Sequence, residues 1–207
     1  MTYTLAVLLS GSGSNLQALL DAREAGTLGA EIGLVISDRA DAYGLQRALA
    51  HAIPCAFVPL PRNTPAVRAA WEQRLLAIVQ AYAPDLVVLA GFMRILSGAF
   101  LAGCQAPLIN EHPALLPDDG GTHITTSTGL TIPALRGAHV VAEALARGLP
   151  LTGCTVHRVT ATVDAGPVLA RAEVPIQPGD SEASLHERIK LAEHRLLVDV
   201  VRRLAAT

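Results

Sequence analysis

Short aliphatic runs alternate with longer stretches of three- and four-residue apolar spacing through the first half of the chain. Residues 5–9, 32–36, 55–58, 86–90 and 108–109 are near-continuous apolar runs, the pattern of strands covered on both faces. Between them, 15–23, 45–50, 65–82 and 97–101 carry helical spacing. This alternation predicts an α/β fold, a doubly wound, mostly parallel twisted sheet with helices on both faces. In 65–82, Val67, Trp71, Leu75, Ile78 and Tyr82 define one apolar stripe, and Thr64 before Pro65 is the expected cap.

Beyond residue 150 the pattern changes. Residues 151–159 and 167–174 are strand-like runs around a turn at 163–166, which predicts a hairpin or two adjacent strands of one sheet. Ser184 and Glu187 resemble a capping box at the start of a long helix, whose core face is Leu185, Ile189, Ala192, Leu196 and Val200. With no repeat or linker, one domain spanning 1–207 is expected.

Composition narrows the functional classes. The chain has 207 residues, 51% of them hydrophobic and only 3% aromatic, with a formal charge of −2. An aliphatic core follows, and the balanced charge supports neither nucleic-acid nor membrane-surface binding. Cys55, Cys104 and Cys154 are odd in number and widely spaced, so they read as small core residues of a reducing compartment. The apolar start is too short for a signal peptide, and a cytoplasmic protein is expected.

Two stretches carry candidate chemistry. Strand 108–109 runs into Asn110-Glu111-His112-Pro113, and period-two geometry puts Asn110 and His112 on one face. A carboxamide donates to an oxyanion and an imidazole moves a proton. Asp164, in Val-Asp-Ala-Gly-Pro, is the candidate carboxylate to orient the histidine. Earlier, Ser10-Gly11-Ser12-Gly13-Ser14-Asn15 joins the first strand to the first helix, a turn suited to phosphate. Asp38 after the second strand raises a dinucleotide fold, but Leu16 stands where the fingerprint needs its third glycine. Phosphate without nicotinamide is the better fit.

Four ordered motifs, Ser-Gly-Ser-Gly-Ser-Asn-Leu-Gln-Ala-Leu at 10–19, Ala-Gly-Phe-Met-Arg-Ile-Leu at 90–96, Asn-Glu-His-Pro-Ala-Leu-Leu-Pro at 110–117 and Val-Asp-Ala-Gly-Pro at 163–167, make the chain resemble the phosphoribosylglycinamide formyltransferases. The resemblance implies a formyltransferase-like fold with a Rossmann-type N-terminal half, a phosphate-binding half over about 1–100 and a catalytic and folate half over 101–207. It implies formyl transfer from 10-formyltetrahydrofolate to a ribonucleotide amine in purine biosynthesis, with no metal, acting as monomer or homodimer on small molecules. Asn110, His112 and Asp164 would be catalytic. Gly13, Ser14 and Asn15 would hold the substrate phosphate, with Lys190 and Glu193 reaching the same substrate. Arg68 would meet the folate's glutamate tail, while Met93, Arg94, Ile95, Leu96, Thr160, Ala161, Thr162 and Val163 would line the folate with Asn110 and Asp164.

On composition alone, Met93, Ile95 and Leu96 read as core, Arg68 as an exposed helix charge, and Lys190 and Glu193 as solvated positions. His123, His139, His157 and His194 carry no assignment. The alternatives to transfer are hydrolysis of 10-formyltetrahydrofolate by the same trio and a non-catalytic nucleotide- or folate-binding role. The chain departs from the family pattern after Pro117. Either Gly121-Thr122-His123 or Gly137-Ala138-His139 matches the family's Gly-x-His turn. The second choice implies an added stretch of about sixteen residues, the offset between these histidines; a loop of that length is expected to act as a lid or to be disordered. The chain also ends at Thr207, where relatives often continue into a short closing segment.

Overall fold

The computed structural model describes residues 2–61 and 64–207. The chain divides into two compact units, Met1–Ile109 with Val201–Thr207, and Asn110–Val200.

In the first unit, β1 (Thr4–Leu9), α1 (Ser14–Glu24), β2 (Glu31–Ser37), α2 (Tyr43–Ala50), β3 (Cys55–Phe57), α3 (Pro65–Tyr82), β4 (Leu86–Leu89) and α4 (Gly98–Gly103) lead into β5 (Leu108–His112). Leu5 through Leu9 have no exposed surface, as a strand covered on both faces requires, and that is why their run is unbroken by polar residues. β1 pairs in parallel with β2 and β4, and β2 with β3. The chain thus steps outward twice from β1 and then returns to its other side. With right-handed crossovers, this reversal puts α1 and α2 on one face and α3 on the other. The carboxyl ends of β1 and β4 lie side by side at the reversal, the position where open α/β sheets bind ligands.

The α3 stripe ends differently from its expectation. Trp71, Glu72, Leu75 and Val79 are the buried positions, Ile78 is half-buried, and Tyr82 is 47% exposed. Successive four-residue steps from Trp71 carry the buried face to Val79, and the helix stops at Ala83 in a left-handed conformation (φ 43°) before Tyr82 can turn inward. Thr64 occupies the cap position, but its side chain accepts no capping hydrogen bond.

In the second unit the rest of β5 is followed by β6 (His123–Thr125), β7 (Thr131–Pro133), α5 (Val140–Ala146), β8 (Leu151–Arg158), β9 (Val168–Pro175) and α6 (Glu182–Ala205). The stretch read as a long loop is therefore a small antiparallel hairpin, β6 against β7. Ile124 and Ile132 bury against Leu115 and Leu151, so one apolar residue per strand suffices to order it. β8 and β9 pair antiparallel from Leu151↔Pro175, with a register shift between Val156 and His157. The strand order is β3-β2-β1-β4-β5-β8-β9, a mostly parallel seven-stranded sheet, with β6-β7 separate.

α6 begins with a reciprocal pair one turn earlier than the sequence suggests. The Ser184 N–H donates to Ser181 Oγ (3.1 Å) and the Ser181 N–H to Ser184 Oγ (3.0 Å). Glu187 instead pairs with Lys190. Leu185 and Ile189 join Ala114, Val140, Val141, Cys154 and Val174 in one core, against which Ala192 and Leu196 pack part-buried. Of the three free thiols, only that of Cys154 is buried; Cys55 and Cys104 are half-buried.

Candidate active site

β1 ends at Leu9, and the turn to α1 depends on Gly13. Its φ of 70° suits glycine, and a Cβ there would come 2.6 Å from the Gly44 Cα. α2 braces the turn: Gly44 N–H donates to the Gly11 carbonyl (3.1 Å), and Arg47 donates to the Ser12 carbonyl (2.9 Å) and to Gln17 Oε1 (2.6 Å). The first N–H to turn back inside α1 is that of Gln17, onto Gly13 O. The amides of residues 14–16 therefore have no intrahelical acceptor, which makes them the positive end of the helix. Asn15 is buried, and its Oδ1 has no hydrogen-bond partner among the described residues.

The loop after β4 adjoins this turn. Ser10 N–H donates to the Gly91 carbonyl (3.0 Å), and Met93 N–H donates to Ser10 Oγ (2.9 Å). Ser10 Oγ and Arg94 Nε each donate to a different oxygen of buried Asp38, both at 2.6 Å. Both oxygens of the carboxylate that a dinucleotide fold would offer to a ribose are thus engaged by protein groups. Leu96 is core, while Met93 and Ile95 are 76% and 63% exposed. The core reading therefore fails for those two, whose apolar side chains face outward. Arg68 donates to the Ile95 carbonyl and lies 3.5 Å from buried Glu72. Glu72 also accepts from the N–H and Oγ of Ser97, the cap of α4.

In the second unit β5 delivers Asn110 and His112 on one face. His112 is buried, and its Nε2 lies 2.9 Å from the Leu135 carbonyl, so Nε2 carries the proton. Nδ1 faces Asp164 Oδ2 at 3.6 Å. Burial pushes the His112 imidazole below its ordinary 6.5, and the neighbouring Asp164 only partly offsets this. At neutral pH its Nδ1 is consequently an unprotonated base. Burial works against the Asp164 carboxylate too, but the imidazoles of His157 and His112 and the Gly137 N–H outweigh it and hold that carboxyl below its ordinary value. Gly137 N–H donates to Asp164 Oδ2 at 3.0 Å.

His157 is the member that sequence reasoning missed. It is buried on β8, directly after the register shift, a device that re-aims side chains. Its Nδ1 lies 2.9 Å from the Arg158 carbonyl, its Nε2 3.3 Å from Asn110 Nδ2 and 3.6 Å from Asp164 Oδ1. The structure therefore brings Asn110, His112, Asp164 and His157 together. Asp164 sits at φ 51° in an exposed turn with Thr160, Ala161, Thr162 and Val163, and Thr160 Oγ1 bonds the Thr162 carbonyl (3.0 Å). Glu193 is buried with Oε1 lacking a partner among the described residues, contrary to the solvated reading, while Lys190 pairs with Glu187 at 2.6 Å. His139, at φ 64°, caps α5, whereas His123 opens β6; of the two candidate turns, only Gly137-Ala138-His139 leads into a helix. Among the described residues no group of three or more His, Cys, Asp or Glu is arranged to hold a metal, and no helix is long and apolar enough to cross a membrane.

An open, mostly parallel sheet with a glycine turn at its reversal point places the chain among the ligand-binding α/β proteins. The formyl transferase model matches residues 3–201, and the chain belongs to that family. It is 43% identical over 201 residues to a phosphoribosylglycinamide formyltransferase of Mycobacterium tuberculosis, covering 97% of this chain and 84% of that one. It is 38% identical over 194 residues to the human trifunctional purine biosynthetic protein adenosine-3, covering 93% of this chain but only 17% of the human one. A glycinamide ribonucleotide transformylase from Symbiobacterium toebii superposes with a TM-score of 0.85 at 38% identity, covering 99% of this chain and 88% of that one.

Proposed function

We propose that the protein transfers the formyl group of 10-formyltetrahydrofolate to the amine of 5-phosphoribosylglycinamide; a relative from Mycobacterium tuberculosis is named as a phosphoribosylglycinamide formyltransferase. The observation that carries this reading is the grouping of Asn110, neutral His112 and ionised Asp164 in the second unit. The amine attacks the formyl carbon, its N–C bond forms, and negative charge gathers on the formyl oxygen. Asn110 donates to that oxygen with the amide hydrogen that His157 does not take. His112 Nδ1 removes the proton from the amine, directly or through a water, and Asp164 stabilises the imidazolium that results. The bond from the formyl carbon to the folate nitrogen then breaks, and that nitrogen receives a proton.

In this reading the amides of Gly13, Ser14 and Asn15 bind the substrate phosphate, Glu193 accepts from its sugar or amine end, and Lys190 reaches the same substrate. Met93, Ile95 and the 160–163 turn offer apolar and main-chain surface to the folate, with Arg94 and Leu96 holding the loop and Arg68 its outer end. The test is to mix protein with 10-formyltetrahydrofolate and follow folate release with and without the ribonucleotide amine. Release that depends on the amine is expected. Equal release without it marks a hydrolase, and none in either arm marks a binding protein.

A further inference from the structure

The β6–β7 hairpin after Pro117 is tied to the candidate catalytic carboxylate by one side chain. Arg136, at the exit of the hairpin, spreads its guanidinium over three carbonyls. Nη2 donates to Gly121 O (2.7 Å) and Gly120 O (3.1 Å), at the entrance of the hairpin. Nε donates to the Asp164 carbonyl (3.1 Å). The next residue, Gly137, holds the Asp164 carboxylate itself. The hairpin is in turn fixed to β9, because Ser127 donates through N–H (2.6 Å) and Oγ (2.7 Å) to Glu173, and Asp118 pairs with Arg171 at 2.6 Å.

Asp164 needs such a hold. Its φ of 51° is a left-handed conformation in a non-glycine residue, which persists only where surrounding contacts over-determine it. Its Oδ2 must also stay beside His112 Nδ1, at 3.6 Å. A planar fork donating along two directions at once fixes both the carbonyl and the hairpin base, which a lysine ammonium on a flexible stem does less well.

We infer that Arg136 is a positioning residue for formyl transfer: it anchors the Asp164 main chain to the base of the β6–β7 hairpin and thereby sets the carboxylate against His112. This rests on the catalytic assignment of Asp164 proposed above. R136A and R136K are compared with D164A by steady-state kinetics on folded protein, with millimolar guanidinium added in a second series. R136A is expected to lose about 10- to 100-fold in kcat, the scale of a small misplacement, with both KM values within about twofold. Guanidinium ion restores part of that loss in R136A and none in D164A. R136K, which keeps the charge but not the fork, loses kcat with the same KM pattern and reports where R136A does not fold. Near-wild-type kcat in the arginine variants, with D164A inactive, overturns the inference; so does a loss that guanidinium leaves unchanged and that follows the folded fraction. Near-wild-type kcat in D164A removes the catalytic reading beneath it instead.

Discussion

Asn110 Nδ2 lies 3.3 Å from His157 Nε2, and the other ring nitrogen of His157 faces a carbonyl that only a donor can satisfy. With Nδ1 turned to that carbonyl, the His157 ring meets the Asn110 amide through Nε2 and fixes where the carboxamide points. N110A is expected to lower kcat by about 100- to 1,000-fold, as for other lost oxyanion donors. H157F, which leaves the amide free to rotate, is expected to cost about tenfold, and the double variant no more than N110A alone, because residues acting as a unit are not additive. Steady-state kinetics of the four proteins check this, and additive losses would separate the two side chains.

The His112 and Asp164 shifts give a pH signature. Unfolded, a histidine binds its proton below about 6.5, whereas buried His112 resists doing so. The unfolded chain then holds more protons, so stability from this group is complete above 6.5 and is lost as pH falls below it. Asp164, held below its ordinary 3.8, contributes stability that is complete above 3.8 and is lost as pH falls further. Urea midpoints measured across this range are expected to decline from about pH 6.5 downward, and H112Q is expected to flatten that first decline. The acid limb of kcat/KM should likewise lie below pH 6.5, and D164N should move it lower still, since the Asp164 carboxylate is the largest of the influences that raise His112. A limb that stays in place in D164N would contradict the pairing.

Much of this architecture is legible from residue order, for physical reasons that can be named. Strands covered on both faces must be apolar throughout, so β1 and β4 declare themselves. Asn110 and His112 share a face because strands have period two. The carboxylate partner was legible as a turn residue, but its conformation was not. His157 escaped notice because one imidazole in an apolar strand reads as packing. The signal was Thr155 and His157, buried polar residues two apart on β8, and the register shift that aims the histidine leaves no trace in composition. The hairpin resembles a loop in the sequence because its strands are only three residues long. Yet His-Ile-Thr and Thr-Ile-Pro flank a polar turn symmetrically, each with a central isoleucine that is buried.

Gly13 tests the phosphate turn. Its φ of 70° and the Gly44 backbone 2.6 Å from any added Cβ both oppose a side chain. G13A is expected to lose about 1–3 kcal/mol of stability, the scale of a strained backbone position. The turn amides move with it, so KM for the ribonucleotide should rise at least several-fold while KM for the folate stays close to wild type. Chemical unfolding and two-substrate kinetics check both parts. An equal rise in the two KM values would mean that the turn has no special relation to the phosphorylated substrate.

Glu193 makes the strongest case that local stability has been given up for binding. It lies on α6, 3% exposed, with Oε1 lacking any partner among the described residues. A buried polar atom left unpaired costs about 1–3 kcal/mol, more when charged. An amine-bearing substrate would supply the missing donor. E193Q keeps the shape and removes the charge. It is expected to raise the unfolding free energy by on the order of 1 kcal/mol, while increasing KM for the ribonucleotide about tenfold or more, the scale of a lost charged hydrogen bond. The carboxylate also raises the His112 imidazole through its charge, so the acid limb of activity should shift to lower pH in the same variant. A destabilised E193Q with unchanged KM would make Glu193 a structural residue whose partner lies within the fold.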